Sequence, residues 1–141
     1  MPIQLDDVSF QKAGIIERTI KRIQEEYSKD TSMGNETYLD ALILNIERAC
    51  QATIDLSLHI ISENHLGIPK NSSDGFRILF SNGFITEKIQ KAMISMVGFR
   101  NIAIHDYREI DKKIISWIAT ERYKNWILFC GELGIKIKNG N

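Results

Sequence analysis

The sequence predicts an all-α fold, and three observations carry that prediction. Apolar residues recur at the 3.6-residue beat of a helix over most of the chain. Each such stretch begins near a capping residue, and the second, third and last end at a glycine or proline. No stretch shows the strict apolar–polar alternation of a half-exposed strand. The expected architecture is a bundle of four to five helices.

Residues 6–29 give the first helix. Ile16, Ile20, Ile23 and Tyr27 form one stripe, and Asp6 or Asp7 is placed to cap the start. Arg18, Lys21, Arg22, Glu25 and Glu26 fill the other face. Ser28 to Asn35 reads as a polar loop, with Asn35 or Thr37 capping the second helix. That helix is long and runs to about His65 on Tyr38, Leu39, Leu42, Ile46, Ala49, Thr53, Leu56 and Ile60. Leu44, Ile54, Leu58 and Ile61 broaden its stripe, so the helix is expected to pack on several sides. His59 and His65 read as helix-end or core-edge histidines rather than ligands.

The clearest break in the chain is Gly67-Ile68-Pro69-Lys70-Asn71-Ser72-Ser73, which is too short for a domain linker. A short capped helix comes next, over residues 73–83, its Phe76, Leu79 and Phe80 expected to plug the bundle. Thr86 opens the next helix, with Ile89, Met93, Met96 and Val97 buried. Asp111 caps a last helix of roughly residues 111–131, carrying Ile114, Ile115, Ile118, Trp126 and Phe129. Gly131 and Gly134 stop it, and residues 135–141 read as a loose tail. One domain is expected over residues 1–141, its core at about 5–131.

With 18 Lys+Arg against 18 Asp+Glu the formal charge is zero, so any affinity for nucleic acid has to come from a local surface. Between Arg100 and Lys124 there are six basic residues against four acidic ones, whereas residues 1–40 carry eight acidic and five basic. Cys50 and Cys130 lie in apolar helical stretches without metal-type spacing, as buried thiols do. The N-terminus lacks the pattern of a secretory signal, and no apolar run reaches the length of a membrane span. The cytoplasm is the expected location.

One stretch concentrates chemistry. Phe99-Arg100-Asn101-Ile102-Ala103-Ile104-His105-Asp106-Tyr107 ends an apolar helix with five polar or ionisable side chains. Residues four apart share a helical face, so Asn101 and His105 are neighbours. Arg100 and His105 lie about 140° apart around the axis. Either the helix unwinds after Gly98, or a second copy of the chain supplies the missing half. Arginine offers phosphate oxygens a planar charged fork, and histidine moves a proton near neutral pH. Together they suit metal-independent cleavage of an RNA phosphodiester. No grouping of carboxylates and histidines in the sequence points to a metal, and no cofactor is expected. By spacing alone the motif is weak, and a structural hydrogen-bond network explains it as well.

The same residues resemble a known signature. Arg100 to Tyr107 is similar to the Arg-x4-His-x-Tyr motif of HepT-like toxins in the HEPN superfamily. The likeness extends to Gln51–Leu56, Gly67–Lys70 and Ser73–Phe76, and covers about residues 5–130. It implies a homodimeric helical bundle with two such motifs meeting at a cleft between subunits. It implies a toxin that is a metal-independent ribonuclease acting on tRNA or mRNA, with Arg100, Asn101 and His105 catalytic. It also implies a partner, a nucleotidyltransferase antitoxin that adds AMP to Tyr107. Arg108, Lys112 and Lys113 are the candidate RNA contacts. The alternative is a catalytically silent helical dimer serving as the binding subunit of a nucleotidyltransferase.

Overall fold

The computed structural model describes residues 3–105 and 110–138, and every regular element among them is helical. Helix α1 spans Asp7–Lys29 and α2 spans Glu36–Glu63. Asp6 caps α1 by accepting from the Ser9 amide, and the Ser9 hydroxyl answers the Asp6 amide, a reciprocal capping box. Asn35 caps α2 through the Tyr38 amide. In the loop between them, the Asp30 carboxylate gathers the amides of Ser32, Gly34 and Asn35.

The two long helices run antiparallel, and their far ends are tied together. His59 Nε2, near the end of α2, lies 2.8 Å from an Asp6 carboxylate oxygen at the start of α1. This bond and the Ser9 amide hold the Asp6 carboxyl down at about 2. A carboxyl lowered on folding contributes stability that is present above its unfolded pKa and lost as pH falls through the folded value. Asp6→Asn keeps a competent cap but carries no charge, so it is expected to lower stability near neutrality, to flatten the acid limb of the stability–pH curve between about pH 4 and pH 2, and to meet the wild type at the acid end. Chemical denaturation across that range measures it.

The stop of α2 falls on His65, in the left-handed conformation at φ +52, with the Leu66 amide reaching back to the Ile61 carbonyl. His65 is therefore a helix-end residue, and Gly67 lies beyond the stop rather than at it. Helix α3, Asp74–Ser81, presses its Gly75 against α2 so closely that a Cβ there would stand 2.6 Å from Ser57 Oγ. Ser57 is fully buried and cannot yield. Gly75→Ala is expected to destabilise the protein by about 1–3 kcal/mol through overpacking, read from a denaturant midpoint. Phe76 meets Phe129 edge-on at 5.5 Å. Phe80, expected in the core, is exposed: Gly75, Phe76 and Leu79 set the inward face of this short helix and leave Phe80 at its rim.

Helix α4, Glu87–His105, buries Ile89, Met93, Met96 and Val97 as the spacing predicts, and continues that stripe through Phe99 and Ala103. Its start is anchored by Glu132, whose carboxylate accepts from the amide and hydroxyl of Thr86.

The last predicted helix is broken. Helix α5 (Lys112–Trp117), capped by Asp111, passes into a π-helical turn over Ile118–Arg122 and then α6 (Lys124–Glu132). The wide turn, closed by the Tyr123 amide on the Ile118 carbonyl, lets Ile118 and Tyr123 both face the core. A regular helix would set them about 140° apart. Ile114, expected inside, is exposed because Ile115, Ile118 and Ala119 take the inner side; Leu44 on α2 is likewise exposed.

The tail is not loose over its described part. Gly134, at φ +90, turns the chain, and Leu133, Ile135 and Ile137 are buried while Lys136 and Lys138 face out. The Lys138 amide donates to Glu17 on α1. One continuous core runs from Ala13 to Ile137.

Candidate active site

Helix α4 stays continuous through the end of the Arg-x4-His motif, so it does not unwind after Gly98. Gly98 is exposed, and a side chain there would meet open space. Asn101 and His105 sit one turn apart on the exposed side of α4. Arg100 is half-buried and directed elsewhere, toward α2, close enough for its charge to act on the Cys50 thiol. Burial dominates that thiol and pushes it up to about 12 against the pull of Arg100. Cys50 is therefore an uncharged packing residue and no nucleophile. The Arg100 Nε is buried without an acceptor among the described residues. A buried donor left unpaired costs free energy, which a water, a ligand or a partner group can offset.

The exposed side of α4 has two unlike flanks. On one, Asn101 and Val97 join Asn71, Ser72, Ser73 and Arg77 to line a polar cleft of about 260 Å³. On the other lies a mostly apolar groove of about 330 Å³, between Met96, Gly98, Phe99 and Ile102 of α4 and Ile114, Trp117 and Ile118 of the last helices. Trp117 is 53% exposed and Ile102 50%, with the Arg122 guanidinium over the indole at 4.5 Å.

The remaining sequence candidates divide. Tyr107, Arg108 and Asp106 lie outside the described residues. The Lys112 ammonium donates to the Met33 carbonyl at 3.0 Å, so it ties α5 to the α1–α2 loop. Lys113 is exposed. Among the other basic residues of this region, Lys124 pairs with Glu121 and Arg122 is stacked on Trp117.

Among the described residues, the fold gathers one set of metal-ligating types that the sequence did not suggest, Asp6, His59 and Glu63. It sits near the end of α2, with Asp6 already committed to capping α1. Along α2, His59 is about 14 Å of helix from Cys50, the neighbour of Arg100. Sequence reasoning also missed the cleft-lining Asn71, Ser72 and Arg77. They read as loop and surface residues, and only the fold brings them beside Asn101. No described helix is long and apolar enough to cross a membrane.

Comparison with known proteins gives consistent results. The family model described as Ribonuclease HepT-like matches residues 16–133. The chain is 36% identical over 126 residues to the mRNA nuclease HepT of Shewanella oneidensis, covering 89% of this chain and 95% of that one. Its structure is similar to that of the tri-AMPylated Shewanella oneidensis HEPN toxin in complex with MNT antitoxin, at TM-score 0.86 and 35% identity, covering 92% of this chain and 98% of that one. A toxin–antitoxin crystal structure with AMP-PNP superimposes equally well, at TM-score 0.86 and 36% identity over the same shares of each chain.

Proposed function

Because this chain belongs to the HepT-like ribonuclease family, we propose that it is the toxin of a HEPN/MNT toxin–antitoxin pair, an endoribonuclease that cuts mRNA or tRNA in the cytoplasm without a metal. The observation that carries this reading is the intact motif on one uninterrupted helix, with His105 and Asn101 presented outward and Arg100 held around the axis. One such helix cannot aim guanidinium and imidazole at the same phosphate, so the working site takes both from a homodimer. The exposed Ile102, Ile114 and Trp117 beside the motif give a second copy an apolar surface to cover.

In the reaction the 2′-oxygen of the ribose attacks phosphorus as its proton passes to a His105 imidazole. The bond from phosphorus to the 5′-oxygen breaks, and that oxygen leaves with a proton supplied by water. Arg100 stabilises the extra negative charge on the phosphoryl oxygens, and Asn101 adds a neutral hydrogen bond. The antitoxin silences the toxin by transferring AMP to Tyr107, two residues from His105, where a charged and bulky group blocks the RNA site. Purified protein is expected to cleave RNA in excess EDTA, and incubation with the cognate nucleotidyltransferase and ATP to abolish cleavage in step with an adduct on Tyr107. RNA left intact across a broad panel of substrates would leave a silent binding subunit as the better reading.

A further inference from the structure

Resting on the ribonuclease reading, we infer that the polar cleft formed by the α2–α3 turn, α3 and α4 is a subsite for an RNA phosphate neighbouring the scissile one, with Arg77 its charged ligand.

The cleft opens beside the catalytic helix. Asn101 forms part of its wall, and His105 comes one turn later on the same face, about 6 Å along the axis. That rise is close to one nucleotide step of an extended strand. A chain with its reacting phosphate at His105 and running back along α4 therefore brings its next phosphate to the cleft.

The lining suits that group. Hydroxyls of Ser72 and Ser73 and the amides of Asn71 and Asn101 are neutral hydrogen-bonding partners, and Arg77 adds the only full positive charge among the cleft residues. Arg77 is also held in place. Its Nη1 donates to Asp74 Oδ1 at 3.1 Å, while Asp74 Oδ2 accepts the Lys70 amide at 2.8 Å and the Asp74 amide donates to Asn71 Oδ1 at 3.0 Å. Those bonds hold the Asp74 carboxyl below its ordinary range. They fix the guanidinium at the cleft through one of its nitrogens, and the rest of the fork makes no hydrogen bond among the described residues. A fixed fork loses less freedom on gripping a phosphate than a free lysine does.

This placement also meets the requirement set by a net charge of zero. Lys112 is committed elsewhere, to the Met33 carbonyl. Arg77 comes from a stretch that is distant in sequence, which is why the charge bias around the motif does not reveal it.

The test is RNA binding by the full-length dimer carrying His105→Ala, followed by fluorescence anisotropy of a labelled single-stranded RNA at several salt concentrations. Adding Arg77→Ala is expected to weaken binding about tenfold and to lower the salt slope by about one ion. Arg77→Lys restores the slope but only part of the affinity. With His105 intact, Arg77→Ala is expected to slow cleavage of a long RNA through KM, and by a larger factor than it slows cleavage of a dinucleotide, which has no second phosphate to place. Arg77→Gln replaces Arg77→Ala if the latter lowers the melting temperature. Unchanged RNA affinity and salt slope overturn the subsite, also where Arg77→Ala weakens the antitoxin complex instead. Binding is read apart from cleavage, so a wild-type protein that binds RNA without cutting it refutes the ribonuclease reading and leaves the subsite to be judged on affinity.

Discussion

Arg100→Ala and His105→Ala are each expected to lower RNA cleavage by about 10²–10⁴-fold, and mixing the two inactive proteins is expected to return about a quarter of wild-type activity. The first result comes from the proposed chemistry, in which one residue stabilises charge at phosphorus and the other moves protons. The second comes from the geometry of α4. If each site joins the arginine of one subunit to the histidine of the other, a mixed dimer holds one fully intact site and one lacking both groups. Random reassortment makes half of all dimers mixed, which gives the quarter. A site built within one subunit would leave every dimer inactive. Mixing therefore separates the two arrangements by the presence or absence of activity, once unfolding and refolding, or co-expression, has exchanged the subunits.

Trp117→Glu is expected to split the proposed homodimer and to remove RNA cleavage with it, although the substitution touches neither Arg100 nor His105. The indole stands half out of the surface beside Ile102 and Ile114, with Arg122 laid over it. An aromatic residue in the middle of an apolar groove is the kind of side chain whose loss costs an interface about 2 kcal/mol or more, and a buried carboxylate adds its desolvation penalty. Because Trp117 is already exposed, the substitution removes little from the subunit's own core, and helicity and melting behaviour serve as controls. Sedimentation or light scattering reads the mass, and RNA cleavage the activity. A monomer that still cuts RNA would show that one subunit suffices; a dimer that persists would move the seam to another face.

What could be read from the sequence was whatever depends on near neighbours in the chain. Caps at Asp6, Asn35 and Asp111 were legible because an N-cap bonds an amide two or three residues away. The stripes Ile16-Ile20-Ile23 and Ile89-Met93-Met96 were legible because helical period alone sets which residues share a face. The Arg100–Asn101–His105 motif was legible as a likeness, and its angular conflict was legible from the helical turn. The buried Ile135 and Ile137 were missed because two alternating residues after a glycine stop are too short a pattern to stand out from a frayed end.

The rest belongs to contacts between distant segments, which no local pattern encodes. Phe80 and Ile114 have the residue type and nearly the spacing of core positions, yet which side of a short helix turns inward is decided by its neighbours, Ser57 against Gly75 in one case. The same holds for Cys50 beside Arg100, for Asp6 beside His59, and for Arg77 beside Asn101. By itself the sequence determined that this protein is helical and where its polar motif lies along the chain, because helices and motifs are written in short-range periodicity. Only the tertiary structure decided that α4 stays continuous through His105, with a polar cleft on one flank and an apolar groove on the other. Those surfaces are made by side chains from separate elements, and they exist only once packing has brought the elements together.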